Sequence, residues 1–126
     1  MNLRGKFLAE LMGSAILLAT VVGSGIMGAS LSQGNAGIAL LANAAATAGI
    51  LYVLITLIGP LSGAHFNPAV SLVMRLRNEL NNREFAFYLV AQITGALLGV
   101  LLAHAMFEQS LIQPGTRVRT GLSQYL

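Results

Sequence analysis

The sequence has no cysteine and no aspartate, and only four acidic residues in all. Without cysteine there is no disulfide, no thiolate-held zinc and no thiol nucleophile. With so few carboxylates, paired-carboxylate acid–base chemistry has little to work with. No nucleophile–base pair is visible, so no enzymatic activity is expected. Charge of either sign is scarce: 9% of the 126 residues are Asp, Glu, Lys or Arg, where a soluble domain carries roughly a quarter. None falls between Leu11 and Met74. Such a stretch cannot form a water-facing surface, so its solvent is lipid.

The charge that is present is clustered. The seven Lys and Arg fall at Arg4/Lys6, Arg75/Arg77/Arg83 and Arg117/Arg119, which reads as anchoring at membrane flanks. A nucleic-acid partner would need a continuous basic face, and there is none. A cleavable leader is also a poor fit. Arg4 and Lys6 precede the first apolar run and Gly28-Ala29-Ser30 offers small residues, but that run carries Glu10 and exceeds the roughly 7–15 residues of a leader's apolar core. A retained membrane helix is expected instead.

What the chain does have is apolar length: 56% of it is hydrophobic. A first span is expected over about 7–31, with Gly13, Gly23, Gly25 and Gly28 as small residues for close helix packing. Ser32–Gly37 makes a short polar turn. A second span follows over about 38–61, closed by Gly59-Pro60, with Asn43 and Thr47 inside it. A third is expected over about 84–108, with Gln92, Thr94, Gly95 and Gly99. The tail 109–126 is polar and broken by Pro114-Gly115. At about 1.5 Å per residue each span crosses a ~30 Å hydrocarbon core.

Residues 62–78 do not fit that pattern. Here lies the run Ser62-Gly63-Ala64-His65-Phe66-Asn67-Pro68-Ala69-Val70, polar residues set in an apolar stretch, and it occurs once. Asn is a favoured N-cap and Pro a favoured first helical residue. A helix is therefore expected to start at Asn67-Pro68 and to end near Arg75–Asn78, only about 15–18 Å long. Irregular backbone before it is tolerated at membrane depth only against protein or a water-filled cavity. A re-entrant loop and half-helix lining a polar path follows. The half-helix N-terminus carries roughly +0.5 of an elementary charge and unpaired N–H groups. It would repel cations and offer donors to a neutral polar solute, while carbonyls of Gly63 to Phe66 would offer acceptors. No metal or cofactor is needed.

These residues resemble the first signature of the aquaporin and glycerol-facilitator (major intrinsic protein) family. Ala9-Glu10-Leu11-Met12-Gly13-Ser14 resembles that family's first-helix acidic motif, and Ala91-Gln92, Gly95-Ala96 and Gly99 resemble its third helix. The resemblance implies an all-α membrane protein: three transmembrane helices plus one re-entrant half-helix, a single repeat of the aquaporin fold. It implies pore-lining roles for Gly63, Ala64, His65, Phe66, Asn67, Pro68 and Ala69, with Asn67 the amide at the narrow midpoint. Glu10 and His65 would brace the loop; the alternative for Glu10 is an interfacial residue near a helix start. His104 is read as interfacial without a role.

Two departures from the family pattern stand out. Twenty residues before Asn67, where the family places a selectivity-filter side chain that is commonly aromatic, this chain has Thr47. A small hydroxyl there implies a wider, more polar constriction passing solutes such as glycerol or uncharged metalloid hydroxides, and the chain resembles most the bacterial members associated with arsenic handling. The alternative is a small packing residue. The other departure is that family members carry two inverted repeats, and this chain carries one. Val70 stands at the position matching the second-repeat filter arginine. Gln124-Tyr125-Leu126 resembles Lys6-Phe7-Leu8, as if a second repeat were about to begin, whether the cause is a natural stop, a split gene or a truncation.

Three helices and a half-helix cannot enclose a pore. The expectation is a half-channel whose partner is a second copy in inverted orientation or a separate second-repeat chain, surrounded by membrane lipid and, by resemblance, grouped as a tetramer of pores. The contrasting reading is a non-conducting truncated product or interaction module acting on a full-length channel. If the N-terminus is cytoplasmic, five cations (Arg4, Lys6, Arg75, Arg77, Arg83) lie inside and two (Arg117, Arg119) outside, which favours that orientation in a bacterial inner membrane.

Overall fold

Every helix among the described residues is capped by an asparagine. The computed structural model describes residues 1–114 and contains α1 (Leu3–Leu31), α2 (Ala36–Ser62), α3 (Pro68–Leu76) and α4 (Asn82–Met106). Asn2, Asn35, Asn67 and Asn81 cap them, their side-chain oxygens accepting from Gly5, Ile38, Ala69 and Glu84 amides at 2.8–3.1 Å. Asn is among the strongest N-caps because its short side chain reaches back to the unpaired amides of the first turn. At Asn81 the cap is reciprocal, since Glu84 Oε2 accepts from the Asn81 amide in a capping box.

α1, α2 and α4 are long and apolar enough to cross a membrane. Their 29, 27 and 25 residues make each about 37–44 Å long, enough to span ~30 Å with tilt or overhang. α3 has nine residues, about 13 Å, or less than half a bilayer. The chain is thus an all-α membrane protein with the architecture of one aquaporin repeat.

Some boundaries differ from those expected. α1 starts at Leu3 rather than Phe7, because Asn2 caps it and places Arg4 and Lys6 within its first turns. α2 does not stop at Gly59-Pro60. It continues through Pro60 to Ser62 and ends on Gly63, whose φ of 90° only glycine adopts without strain and whose amide returns to the Gly59 carbonyl. α4 runs two residues earlier at each end than the 84–108 expected. Arg117, Arg119 and the repeat boundary expected at 124–126 lie outside the described residues.

α1 is the centre of the bundle. It meets α4 backbone to backbone: a Cβ on Gly95 or Gly99 would run into the Leu11 or Ala15 carbonyl. Small residues permit this approach in lipid, where dispersion replaces the hydrophobic effect as the force between helices. α1 meets α2 through Gly28, close against Ala39. A polar clamp strengthens that contact, with Asn43 Nδ2 donating to the Val21 carbonyl (2.7 Å) and to Ser24 Oγ (2.9 Å). α3 packs on α4. α2 is covered least; Leu40, Leu41, Tyr52 and Leu57 are at least 66% exposed in the single chain.

Candidate functional site

Glu10 is fully buried on α1, and four donors converge on it. Ser62 Oγ (2.6 Å) and the His65 amide (3.0 Å) bond to Oε1; the Phe66 amide (2.7 Å) and Gln92 Nε2 (2.9 Å) bond to Oε2. A buried carboxylate is costly unless its oxygens are satisfied in this way. It therefore ties α1 to the end of α2, to the loop 63–66 and to α4.

That loop needs a tie. Gly63, Ala64 and Phe66 have φ of 90°, 51° and 48°. For Ala64 and Phe66 the left-handed region costs roughly 1–2 kcal/mol each, and such backbone persists where its surroundings over-determine it. The Glu10 bonds to consecutive amides supply the constraint, and Ser62 Oγ adds one by accepting from Ala64 N at 3.1 Å. The Phe66 ring supplies another. It is 5% exposed and lies on Gly13, where a Cβ would overlap it. Phe66 thus turns its side chain into the bundle, and only its backbone is left for a polar path.

A second tier sits around the first. Gln92 Nε2 also donates to Ser71 Oγ (2.8 Å), and Ser71 Oγ lies 3.0 Å from His65 Nδ1. Tyr88 donates its hydroxyl to the Ser62 carbonyl, and its ring lies 5.0 Å from the His65 ring, centroid to centroid. The carboxylate requires the amide nitrogen of Gln92 to face it, which fixes the orientation of that amide. Ser71 Oγ already accepts from Gln92, so donation to His65 Nδ1 gives the Ser71 proton an acceptor. His65 then carries its own proton on Nε2. Ser14 Oγ and Gln92 Oε1 are buried without a partner among the described residues.

Asn67 faces outward from this brace. Its Oδ1 is taken by the Ala69 amide at 2.8 Å, which turns Nδ2 and its two hydrogens away from the helix. Asn67, Pro68, Ala69 and Val70 are all exposed in the single chain. Thr47, half-buried on α2, donates its hydroxyl to the Asn43 carbonyl one turn back (2.8 Å). His104 Nδ1 lies 2.8 Å from the Leu111 carbonyl.

The structure brings Glu10, Gly63, Ala64, His65, Phe66 and Asn67 into one locality. It leaves Thr47 bonded within α2, outside the Glu10 network. Sequence reading did not assign Ser62, Ser71, Tyr88 or Gln92 to that network. The available signal was that each is polar inside an apolar helix, where a polar group needs a partner.

Three helices of membrane-spanning length, with a short half-helix whose preceding loop is tied to a buried acid, make one repeat of the aquaporin type. A profile of the major intrinsic protein family matches residues 1–125, and the chain belongs to that family of membrane channels. It is similar to the aquaglyceroporin AqpS of Rhizobium meliloti, 50% identical over 125 residues, covering 99% of this chain and 53% of the relative. It is also similar to the glycerol uptake facilitator protein of Pseudomonas aeruginosa (31% identical, 89% of this chain, 39% of the relative). The probable aquaporin AqpM of Archaeoglobus fulgidus is 34% identical (81% of this chain, 47% of the relative). The chain thus spans about half the length of these relatives or less. No solved structure matches it.

Proposed function

We propose that this chain is one half of a passive channel for water and small neutral solutes, glycerol foremost and uncharged metalloid hydroxides such as arsenite among the rest. One observation carries the reading: Asn67 caps a half-helix with its Oδ1 and turns Nδ2 outward, on a loop that Glu10 holds in place. Outward amide donors at the positive end of a short helix suit a solute hydroxyl and disfavour a cation. Gly63 to Phe66 contribute backbone carbonyls along one wall. Thr47 and Val70 line the filter, with no arginine between them, so exclusion of protons and cations rests on the half-helix ends. Similarity to an aquaglyceroporin supports glycerol over water alone.

The other wall comes from a second half, either another copy in inverted orientation or a second-repeat chain, and complete pores group into a higher oligomer in a bacterial inner membrane with the N-terminus cytoplasmic. Exposure of the polar Asn67 at the head of α3 supports a protein neighbour, since lipid would leave its amide unsatisfied.

The test is stopped-flow light scattering on liposomes holding the purified chain, with water, glycerol and arsenite gradients. Flux above empty liposomes, altered by Asn67→Asp, is the expected result for a self-paired pore. No flux for the chain alone, and none when a second-repeat chain is co-reconstituted, overturns the half-channel.

A further inference from the structure

We propose that the N-terminal ends of α1 and α4 together form a binding site for an anionic phospholipid. Arg4, Phe7, Leu8 and Phe87 line an apolar cleft of about 300 Å³. It adjoins a second of about 210 Å³ lined by Phe7, Ala86, Phe87 and Val90. Phe7 and Phe87 pack edge to face, centroids 6.0 Å apart, and form the floor shared by both clefts. Arg83 stands over the Phe87 ring, its guanidinium carbon 5.9 Å from the centroid. An arginine thus borders Phe87 from each helix.

The charge balance says what fits. At this end of the bundle Lys6 is paired with Glu84 at 3.0 Å and Arg77 with Glu79 at 2.8 Å. Arg75 donates to Asn82 Oδ1. Among the described residues no carboxylate remains for Arg4 or Arg83. An aromatic floor with an uncompensated cationic rim is complementary to an amphiphile with an anionic head. The phosphate meets the two guanidinium groups and an acyl chain lies along Phe7, Phe87 and Val90. Basic sites between membrane helices bind anionic head groups on this principle. A soluble anion would make no use of the apolar floor.

The experiment reconstitutes the full chain in phosphatidylcholine vesicles carrying spin-labelled phosphatidylglycerol or spin-labelled phosphatidylcholine. Electron paramagnetic resonance then reads the motionally restricted fraction. Restricted phosphatidylglycerol should exceed phosphatidylcholine, and each of Arg4→Gln and Arg83→Gln should lower that preference by about fivefold at low salt, the value of about 1 kcal/mol per cation. Phe87→Ala should release the lipid chain while circular dichroism shows the helices intact. Arg77→Gln, which removes a cation already paired, should leave the preference in place. An equal loss from Arg77→Gln and Arg83→Gln would mean diffuse attraction and overturn the site. So would a wild-type chain with no preference, or displacement of the labelled lipid by glycerol phosphate.

Discussion

The Phe66 amide donates to Glu10 Oε2 across 2.7 Å, although 56 residues separate the two in sequence. This bond and its neighbour from His65 hold the loop in a backbone shape it would not otherwise keep. Glu10→Gln replaces an acceptor with a donor in the middle of four donors. A buried unsatisfied donor costs about 1–3 kcal/mol, so the variant should unfold at lower SDS fraction in mixed micelles. The His65 and Phe66 amides should also exchange hydrogen faster than in the wild type, while amides in the middle of α2 keep their rates.

The Phe66 ring occupies the space that a side chain on Gly13 would fill. Gly13→Ala should therefore destabilise by about 1–3 kcal/mol, the usual cost of overpacking. Phe66→Leu in the same chain should recover part of the loss. A double-mutant cycle without coupling between the two positions would contradict the contact.

Glycines on different faces should behave oppositely. A Cβ on Gly99 would strike the Ala15 carbonyl, whereas one on Gly49 meets nothing within 4 Å. Gly99→Ala should separate α1 from α4 and lower stability by about 1–3 kcal/mol. Gly49→Ala should be neutral or stabilising by up to about 1 kcal/mol in the single chain, since alanine favours helix. Thermal unfolding in detergent compares the two.

Ser71 bridges Gln92 and His65, and its proton is best placed on His65 Nδ1. Solid-state nitrogen NMR of the histidine ring should show Nε2 protonated and Nδ1 bare. Ser71→Ala removes the donor and should shift the Nδ1 resonance. An Nδ1-protonated ring in the wild type would reverse the direction assigned to this bond.

The half-helix was legible because its signal is local: a cap residue followed by a proline, in a segment too short to span. Its brace was less so. Gln92 lies 82 residues from Glu10 and Ser62 lies 52 residues away, and no periodicity in sequence connects them. The helix α1 extends beyond the expected membrane span for a different reason. Arg4 and Lys6 read as membrane-flank anchors, and the Asn2 cap places both inside the helix, where long basic side chains can reach the interface. At Pro60 a strong helix-breaking residue was overruled, since the helix ends on the left-handed Gly63 three residues on. Thr47 could be located by spacing, but its bond to the Asn43 carbonyl is a property of the helix and not of the motif.

The loop's brace comes from both directions along the chain: Glu10, which precedes it, accepts from its amides, while Tyr88 and Gln92, which follow it, bond to Ser62 and to Glu10 itself. During synthesis the segment 63–66 emerges with its acceptor already made but with two of its supports still to come. Its brace is complete only after α4 has been inserted beside α1. The polar centre of this membrane protein is therefore among its last parts to settle, and a ribosome stalled before residue 92 would leave the half-helix without its full brace.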